Sequence, residues 1–271
     1  QSDQPPPLPV AVALLHSDLK PENDLLYFRQ QVLSKFDGKR LVADPSSSYD
    51  GDVIREFPYK QPYKAKRNVP NDHHKRVPTS MFLMADHPQP VALSASIEVT
   101  PRPNPSPRRF VTAYDVVSLV PSIPIHRLVG RPSIPDSWSE KQRAHFLEHP
   151  DDPRYRALAE EIAQEIDLRF SGDDIIKALA IKDYLEREGF YTRKERHAGV
   201  DDPAASFLFG SLRGYCVHFA HAAVHLLRSQ GIAARVAVGY AVDNRMRGSG
   251  SAVIIMGDRA HAWPEIYVAG V

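Results

Sequence analysis

Cysteine is almost absent: the 271 residues hold one, Cys216, so no internal disulfide framework can form and the redox compartment is not readable from bridges. Charge of one sign is absent too. The 34 Lys and Arg against 33 Asp and Glu leave a formal net charge of +1, which gives no electrostatic footprint for nucleic acid or an anionic membrane surface. No apolar run nears the roughly 18 residues needed to span a bilayer, and no charged-then-apolar leader is present. The chain has no initiating methionine and opens on a polar, proline-rich lead from Gln1 to Pro9, so it reads as an excised soluble piece. Its length predicts about two domains.

What is present centres on Gly214 to Tyr240, GYCVHFAHAAVHLLRSQGIAARVAVGY. From Cys216, apolar or small residues recur at Phe219, Ala220, Ala223, Leu226 and Leu227, the spacing of one helix face, with Gly231 positioned to end the helix. An ordinary thiol, with a pKa near 8.5, is only ~3% thiolate at neutral pH. The start of a helix favours the thiolate through unpaired N–H groups and the positive end of the macrodipole, and an imidazolium partner would favour it further. The sequence offers His261, in HAWPEIYV. Alternation there puts His261, Trp263, Glu265 and Tyr267 on one strand face, expected to be wet, and Ala262, Ile266 and Val268 on the other. Ala233 to Val242 reads as a strand packed beneath the helix.

These stretches together resemble the transglutaminase-like superfamily, whose pattern runs Gly-x-Cys, a helix, Arg-x-x-Gly-Ile-x-Ala-Arg, a strand ending in Gly-Tyr, and His-Ala-Trp-x-Glu. The resemblance extends upstream through Phe207-Leu208-Phe209 to the helices from Tyr155. It implies an α+β chain, with a papain-like transglutaminase-core catalytic domain preceded by an antiparallel β-rich domain. It also implies Cys-His-Asp acyl transfer through a thioester, with Cys216 as nucleophile and His261 as base and then acid. Protein or peptide amides are the expected substrates, and transamidation and amide or peptide hydrolysis both stay open. A catalytically silent binding or scaffold module that keeps the fold is the other reading. Family members carry an aromatic or amide side chain upstream of the nucleophile, which makes Tyr191 a candidate oxyanion or groove residue. Trp263 is a candidate groove residue, and packing on a neighbouring strand is its structural alternative.

In the family the acid sits on the strand after the histidine strand, and no acid is well placed here. Asp258 lies at an odd offset from His261, and Glu265 is ~13 Å along the strand at ~3.3 Å per residue. The orienting carboxylate is therefore expected beyond Val271. The stretch YFRQQVLSKFDGKRLV resembles the lead-in to such units in bacterial membrane proteins, which implies an extracytoplasmic location. No cofactor is implied, and no Ca²⁺ loop of the EF-hand kind is present.

In order, Val10 to Leu15 and Leu25 to Leu33 predict strands, and Asp37-Gly38 predicts a hairpin. Asp52 to Phe57 is expected as a strand and Pro58 to Pro78 as a loop holding the His73-His74-Lys75-Arg76 run. Met81 to Met84, Val91 to Val99 and Phe110 to Val120 read as further strands. The expected organisation is a β-rich domain over 1–128, a linker over 129–152 with a short helix from Glu140 to Glu148, and the catalytic domain over 153–271. Helices are expected from Pro153 and from Asp173, the second closed by Gly189. His218, His221 and His225 fall opposite the Cys216 stripe and are expected to form a polar face or groove wall rather than a zinc site, since no H-E-x-x-H glutamate accompanies them. Arg235 is expected in a structural salt bridge, Pro264 at an edge or bulge, and Arg245 to Ser251 in a cationic loop beside a cleft.

Overall fold

Short alternating segments build the N-terminal half of the chain. The structure, a computed structural model, describes residues 7–21, 23–46, 48–65, 71–195, 197, 199–247 and 251–271. Strand β1 (Pro9–Leu15) buries Ala11, Ala13 and Leu15, as period two requires, and β2 (Leu25–Leu33) follows. The Asp37-Gly38 signal makes a hairpin between β3 (Lys35–Phe36) and β4 (Leu41–Val42), with Lys35 opposite Val42. Gly38 takes φ +98°, and Asp37 Oδ1 accepts from the N–H groups of Lys39 and Arg40. Then come β5 (Tyr63–Lys64), β6 (His74–Leu83), β7 (Ala92–Leu93), β8 (Ala95–Pro101) and β9 (Thr112–Pro121). The second half carries α1 (Glu140–Leu147), α2 (Pro153–Ala163), α3 (Asp174–Glu188), β10 (Phe190–Tyr191), α4 (Pro203–Ser206), β11 (Arg213–Gly214), α5 (Cys216–Ser229), β12 (Ala234–Asp243), β13 (Ala252–Met256) and β14 (Ala260–Ile266).

Contacts divide the chain into two units that are discontinuous in sequence. One comprises residues up to 31, 50–122 and 238–261; the other comprises 32–49, 123–237 and 262–271. These do not follow the contiguous blocks 1–128, 129–152 and 153–271. Strand β13 pairs with β1, which carries a C-terminal segment into the first unit. The expected linker contains α1 and supplies Trp138 and Phe146 to the core of the second.

The first unit is an antiparallel sheet in the order β13-β1-β6-β9-β8-β5. Its core includes Leu15, Phe28, Met81, Leu83, Tyr114, Val116 and Ile255. Tyr114 Oη donates to the Val91 carbonyl and accepts the Val91 N–H, and burial drives its phenol far above the usual range. Two expectations are corrected here. Strand β6 begins at His74, inside the predicted loop, because His74 to Val77 pair with Pro121 to Ser118 of β9. Pro78 is tolerated because its carbonyl accepts from His16 N–H, so its missing N–H points to the β1 side, beyond the last β1 pair. Asp52 to Phe57 is not a strand: Asp52 is held by Arg29 at 2.9 Å in a buried pair, and Val53 N–H turns back to Asp50 O.

The second unit is organised around α5, which is buried from Ala220 to Ser229. A helix buried all round belongs to a core. The histidine side, expected to be polar, is therefore interior: His218, His221 and His225 are 5%, 8% and 0% exposed. Aromatic rings surround His225, with Phe36 at 5.6 Å and Tyr155 at 5.5 Å between centroids, and neither ring nitrogen has a hydrogen-bond partner among the described residues. His221 places Nδ1 2.9 Å from Val217 O, and burial lowers its pKa. No group of three or more His, Cys, Asp or Glu is placed to hold a metal among the described residues.

At the far end of α5, the buried Arg228 donates to the carbonyls of Ser34, His145, Glu148 and Ala234 at 2.7–3.2 Å. Arg228→Met would leave these carbonyls without their donor and should cost at least about 3 kcal/mol, seen as a lowered urea midpoint. A midpoint within error of wild type would exclude the clamp.

The histidines predict a pH dependence of a definite sign. His225 is held well below its ordinary pKa by burial, then by His221, Arg228 and His149, so the unfolded chain binds the extra proton below pH ~6.5. Stability is lost as pH falls through that value, by up to ~1.4 kcal/mol per pH unit for each such group. Urea midpoints of wild type should fall between pH 7 and 5, and His225→Phe should flatten the slope; parallel curves would rule His225 out as the source.

Candidate active site

A short parallel pair leads into the thiol. Phe190 lies opposite Arg213 and Tyr191 opposite Gly214, with Phe190 N–H donating to Leu212 O at 2.8 Å and Thr192 N–H to Gly214 O at 2.6 Å. Tyr215 is extended at φ −126° and caps α5, so Cys216 is the first helical residue. His218 closes the turn from within: its N–H donates to Tyr215 O, and its Nδ1 accepts the Tyr215 N–H at 3.2 Å. That bond requires Nδ1 to be unprotonated.

This mount needs glycine at 214. A Cβ there would sit 2.7 Å from His218 Nδ1 and 3.0 Å from the Phe207 ring. The His218 ring is boxed by Tyr215 at 4.4 Å, His197 at 4.8 Å and Phe207 at 6.0 Å. His197, in the left-handed region at φ +47°, places Nε2 2.7 Å from Arg213 O and Nδ1 2.9 Å from Ser206 Oγ. The carbonyl makes Nε2 the protonated nitrogen. Sequence reading did not single out His197, because nothing in its local pattern marks it. Cys216 is half-buried and Val217 is 38% exposed, so α5 meets solvent at its first turn.

Tyr191 belongs to this mount; it is 53% exposed and stacks on Phe219 at 6.2 Å. Trp263 is half-buried on β14. His261 is also on β14 and is half-buried, with the Tyr27 ring 6.5 Å away, and burial lowers its pKa. Cys216, Tyr191 and Trp263 lie in the unit that contains α5, and His261 is the last residue of the other.

The strand around His261 departs from simple alternation. Tyr267, expected on the wet face, is 8% exposed: its N–H donates to Ala233 O, its hydroxyl accepts from Arg235 at 2.9 Å, and its ring packs on Trp138 and Phe146. Arg235 holds Glu265 at 2.9 Å in the expected structural bridge, which commits that carboxylate to a guanidinium. Pro264 is exposed on β14, the terminal strand in the order β14-β12-β2-β7. In the predicted cationic loop, Arg245 pairs with Asp243 and Arg247 donates to Leu19 O; Gly248 to Gly250 lie outside the described residues.

Gly214→Ala should slow alkylation of Cys216 by iodoacetamide and cost about 1–3 kcal/mol of stability, because the new methyl displaces the cap. Unchanged alkylation and an unchanged melting temperature would show that the close approach is not required.

Comparison with known proteins bears on the same residues. A family model described as the transglutaminase-like superfamily matches residues 156–271. The uncharacterized protein YebA of Bacillus subtilis is 33% identical over 130 residues, 45% of this chain and 17% of its own length. A protein-glutamine gamma-glutamyltransferase of Pseudomonas aeruginosa is 32% identical over 115 residues, 42% of this chain and 16% of its own length. The matches thus span about a sixth of these relatives. The crystal structure of the periplasmic domain of TgpA from Pseudomonas aeruginosa shares the fold with a TM-score of 0.61 at 22% identity, over 95% of this chain and 83% of that one. Its ethylmercury-bound form gives 0.58 at 22% identity, over 96% and 86%. The α+β fold with antiparallel sheets is therefore shared along most of the chain, and over residues 156–271 the sequence matches the transglutaminase-like superfamily.

Proposed function

We propose that this chain carries out thiol-dependent acyl transfer on glutamine or peptide amides. The observation that carries the reading is the placement of the only cysteine as the first residue of α5, half-buried at the turn where that helix meets solvent. The family match over 156–271 and the protein-glutamine gamma-glutamyltransferase relative support it.

In this reading His261 takes the Cys216 thiol proton as sulfur attacks the amide carbon. The S–C bond forms, the oxygen becomes an oxyanion, and the Cys216 N–H at the helix start donates to it. Collapse breaks the C–N bond, and His261 returns the proton to the departing amine or ammonia. The thioester then passes to an amine or to water. Tyr191 and Trp263 are proposed to border the acyl groove. An extracytoplasmic setting is part of the proposal, supported by likeness to a periplasmic domain; no helix among the described residues is long and apolar enough to cross a membrane.

Burial of His261 opposes its imidazolium form, so it acts as a general base rather than as a standing cation. A histidine with a lowered pKa stays neutral until pH falls below its ordinary ~6.5. The acid limb of kcat/KM should therefore have its midpoint below pH 6.5, and a midpoint above that value would contradict the assignment. Incorporation of a fluorescent amine into a glutamine donor, with release of ammonia or amine, tests the activity itself. Cys216→Ala should abolish it, and His261→Ala should lower it ~10²–10⁴-fold. Folded wild type as silent as Cys216→Ala on every glutamine and peptide donor would return the chain to the binding-module reading.

A further inference from the structure

Two imidazoles hold the peptide groups on either side of Gly214. His197 Nε2 donates to the Arg213 carbonyl at 2.7 Å, and His218 Nδ1 accepts the Tyr215 N–H at 3.2 Å. The two rings also meet, with centroids 4.8 Å apart at 73°, and Phe207 stacks on the His218 ring. His197 is itself fixed: Ser206 Oγ lies 2.9 Å from its Nδ1, and Glu195, on the same loop, holds the Arg213 guanidinium at 2.7 Å. Its φ of +47° is rare for a side-chain-bearing residue, and such backbone persists where its surroundings over-determine it.

The cap they serve is an unusual one. A helix start is commonly closed by a Ser, Thr, Asp or Asn at the N-cap, whose oxygen takes the N–H of the second or third helical residue. Here the N-cap is Tyr215, and the acceptor comes from the third helical position, where Glu or Gln is the usual supplier. Glu would bring a formal charge two residues from Cys216; a bare Nδ1 is an acceptor without one. The Tyr215 carbonyl is held as well, by the N–H groups of His218 at 2.8 Å and Phe219 at 3.3 Å. That carbonyl shares a trans peptide plane with the Cys216 N–H, so fixing the carbonyl aims the N–H out of the helix end.

We infer that His218 is a positioning residue for acyl transfer at Cys216, and that His197 acts through it by holding its ring and the Arg213 carbonyl. The inference rests on the acyl-transfer reading above. In this role neither histidine carries a proton for the reaction; each fixes a peptide group next to Gly214. Loss of the acceptor frees the turn that sets both the sulfur and the Cys216 N–H, and a displacement of about 1 Å costs on the order of 10²-fold in rate.

The test uses the full chain and sets an acceptor-bearing substitution against an apolar one. His218→Asn keeps an acceptor oxygen at the place of Nδ1, whereas His218→Leu fills the buried site without one. If packing were the whole role, Leu would be the better substitute in stability and in rate. Positioning predicts a crossing: His218→Leu should resist urea at least as well as His218→Asn, yet lose about 10²-fold in kcat with KM near that of wild type, while His218→Asn stays within about fivefold. His197→Leu should lower kcat about tenfold alone and add nothing to His218→Leu, because a residue acting through another is not additive with it. The Tyr215 amide should exchange slowly in wild type and His218→Asn and fast in His218→Leu. A faster His218→Leu than His218→Asn, or losses that multiply in the double variant, would overturn the assignment. Should the leucine variants fail to fold, nitrogen NMR of the wild-type His218 ring decides: a bare Nδ1 at neutral pH sustains the clamp and a protonated one ends it. Amide exchange in the expected order without turnover of any donor would keep the clamp and discard acyl transfer; turnover with a fast-exchanging Tyr215 amide in wild type would do the reverse.

Discussion

The second unit depends on one buried guanidinium. Arg228 reaches four backbone carbonyls from the end of β2, the end of α1 and the start of β12, segments that are far apart in sequence. Each carbonyl is a group that burial would leave without water, and Arg brings five donors in a rigid fork to satisfy them together. Arg and not Lys suits this task, since a compact ammonium has three donors and no planar spread. Ser34, at the foot of the hairpin, is in turn bound through its hydroxyl to His145 Nε2 at 2.9 Å, so the hairpin and α1 are joined twice. The hairpin belongs to this unit for that reason, although some 180 residues separate it from α5.

How much of this was legible in the sequence follows from how local each signal is. The start at Cys216, helix and stop of α5, the Asp37-Gly38 hairpin and the starts of α1 and α3 rest on neighbours within four residues, and all stand in the structure. The Arg235 bridge was legible as a class of interaction, without its partner. What failed was long-range. Helical spacing puts His218, His221 and His225 on a polar face or groove wall opposite the Cys216 stripe, yet Phe36, Phe207 and Tyr155 come from other segments to cover them. Proline spacing hid the start of β6, since a proline whose N–H faces no strand costs the ladder nothing. The contiguous domain blocks gave way to interleaved units because strand pairing joins Ala252–Met256 to Pro9–Leu15.

At the candidate site the same distinction separates Cys216 from its supports. Glycine, cysteine and the helix pattern announce the thiol, but the groups that fix Tyr215 do not announce themselves. His218 was seen as one of three histidines on a face, and its work is a reciprocal cap that only the extended Tyr215 reveals. His197 arrives from a loop with no periodicity, and its neighbours in sequence do not foretell a ring packed on His218.

The electrostatics of α5 are arranged in one sense along its length. No acidic residue lies in its first turn, and its last turn carries Arg228. Exposed helices commonly place Asp or Glu at the start, where they would cancel the positive end of the dipole and gain about 0.3–1 kcal/mol. Here that stabilisation is forgone, and the uncancelled end faces a half-buried thiol. The cation at the other end complements the carbonyl terminus, and because it bonds to carbonyls from three further segments, the helix loses nothing in anchorage by lacking an acid at its start. A carboxylate in the first turn would stabilise the helix further; the sequence forgoes it, and the buried arginine offsets the cost to the fold.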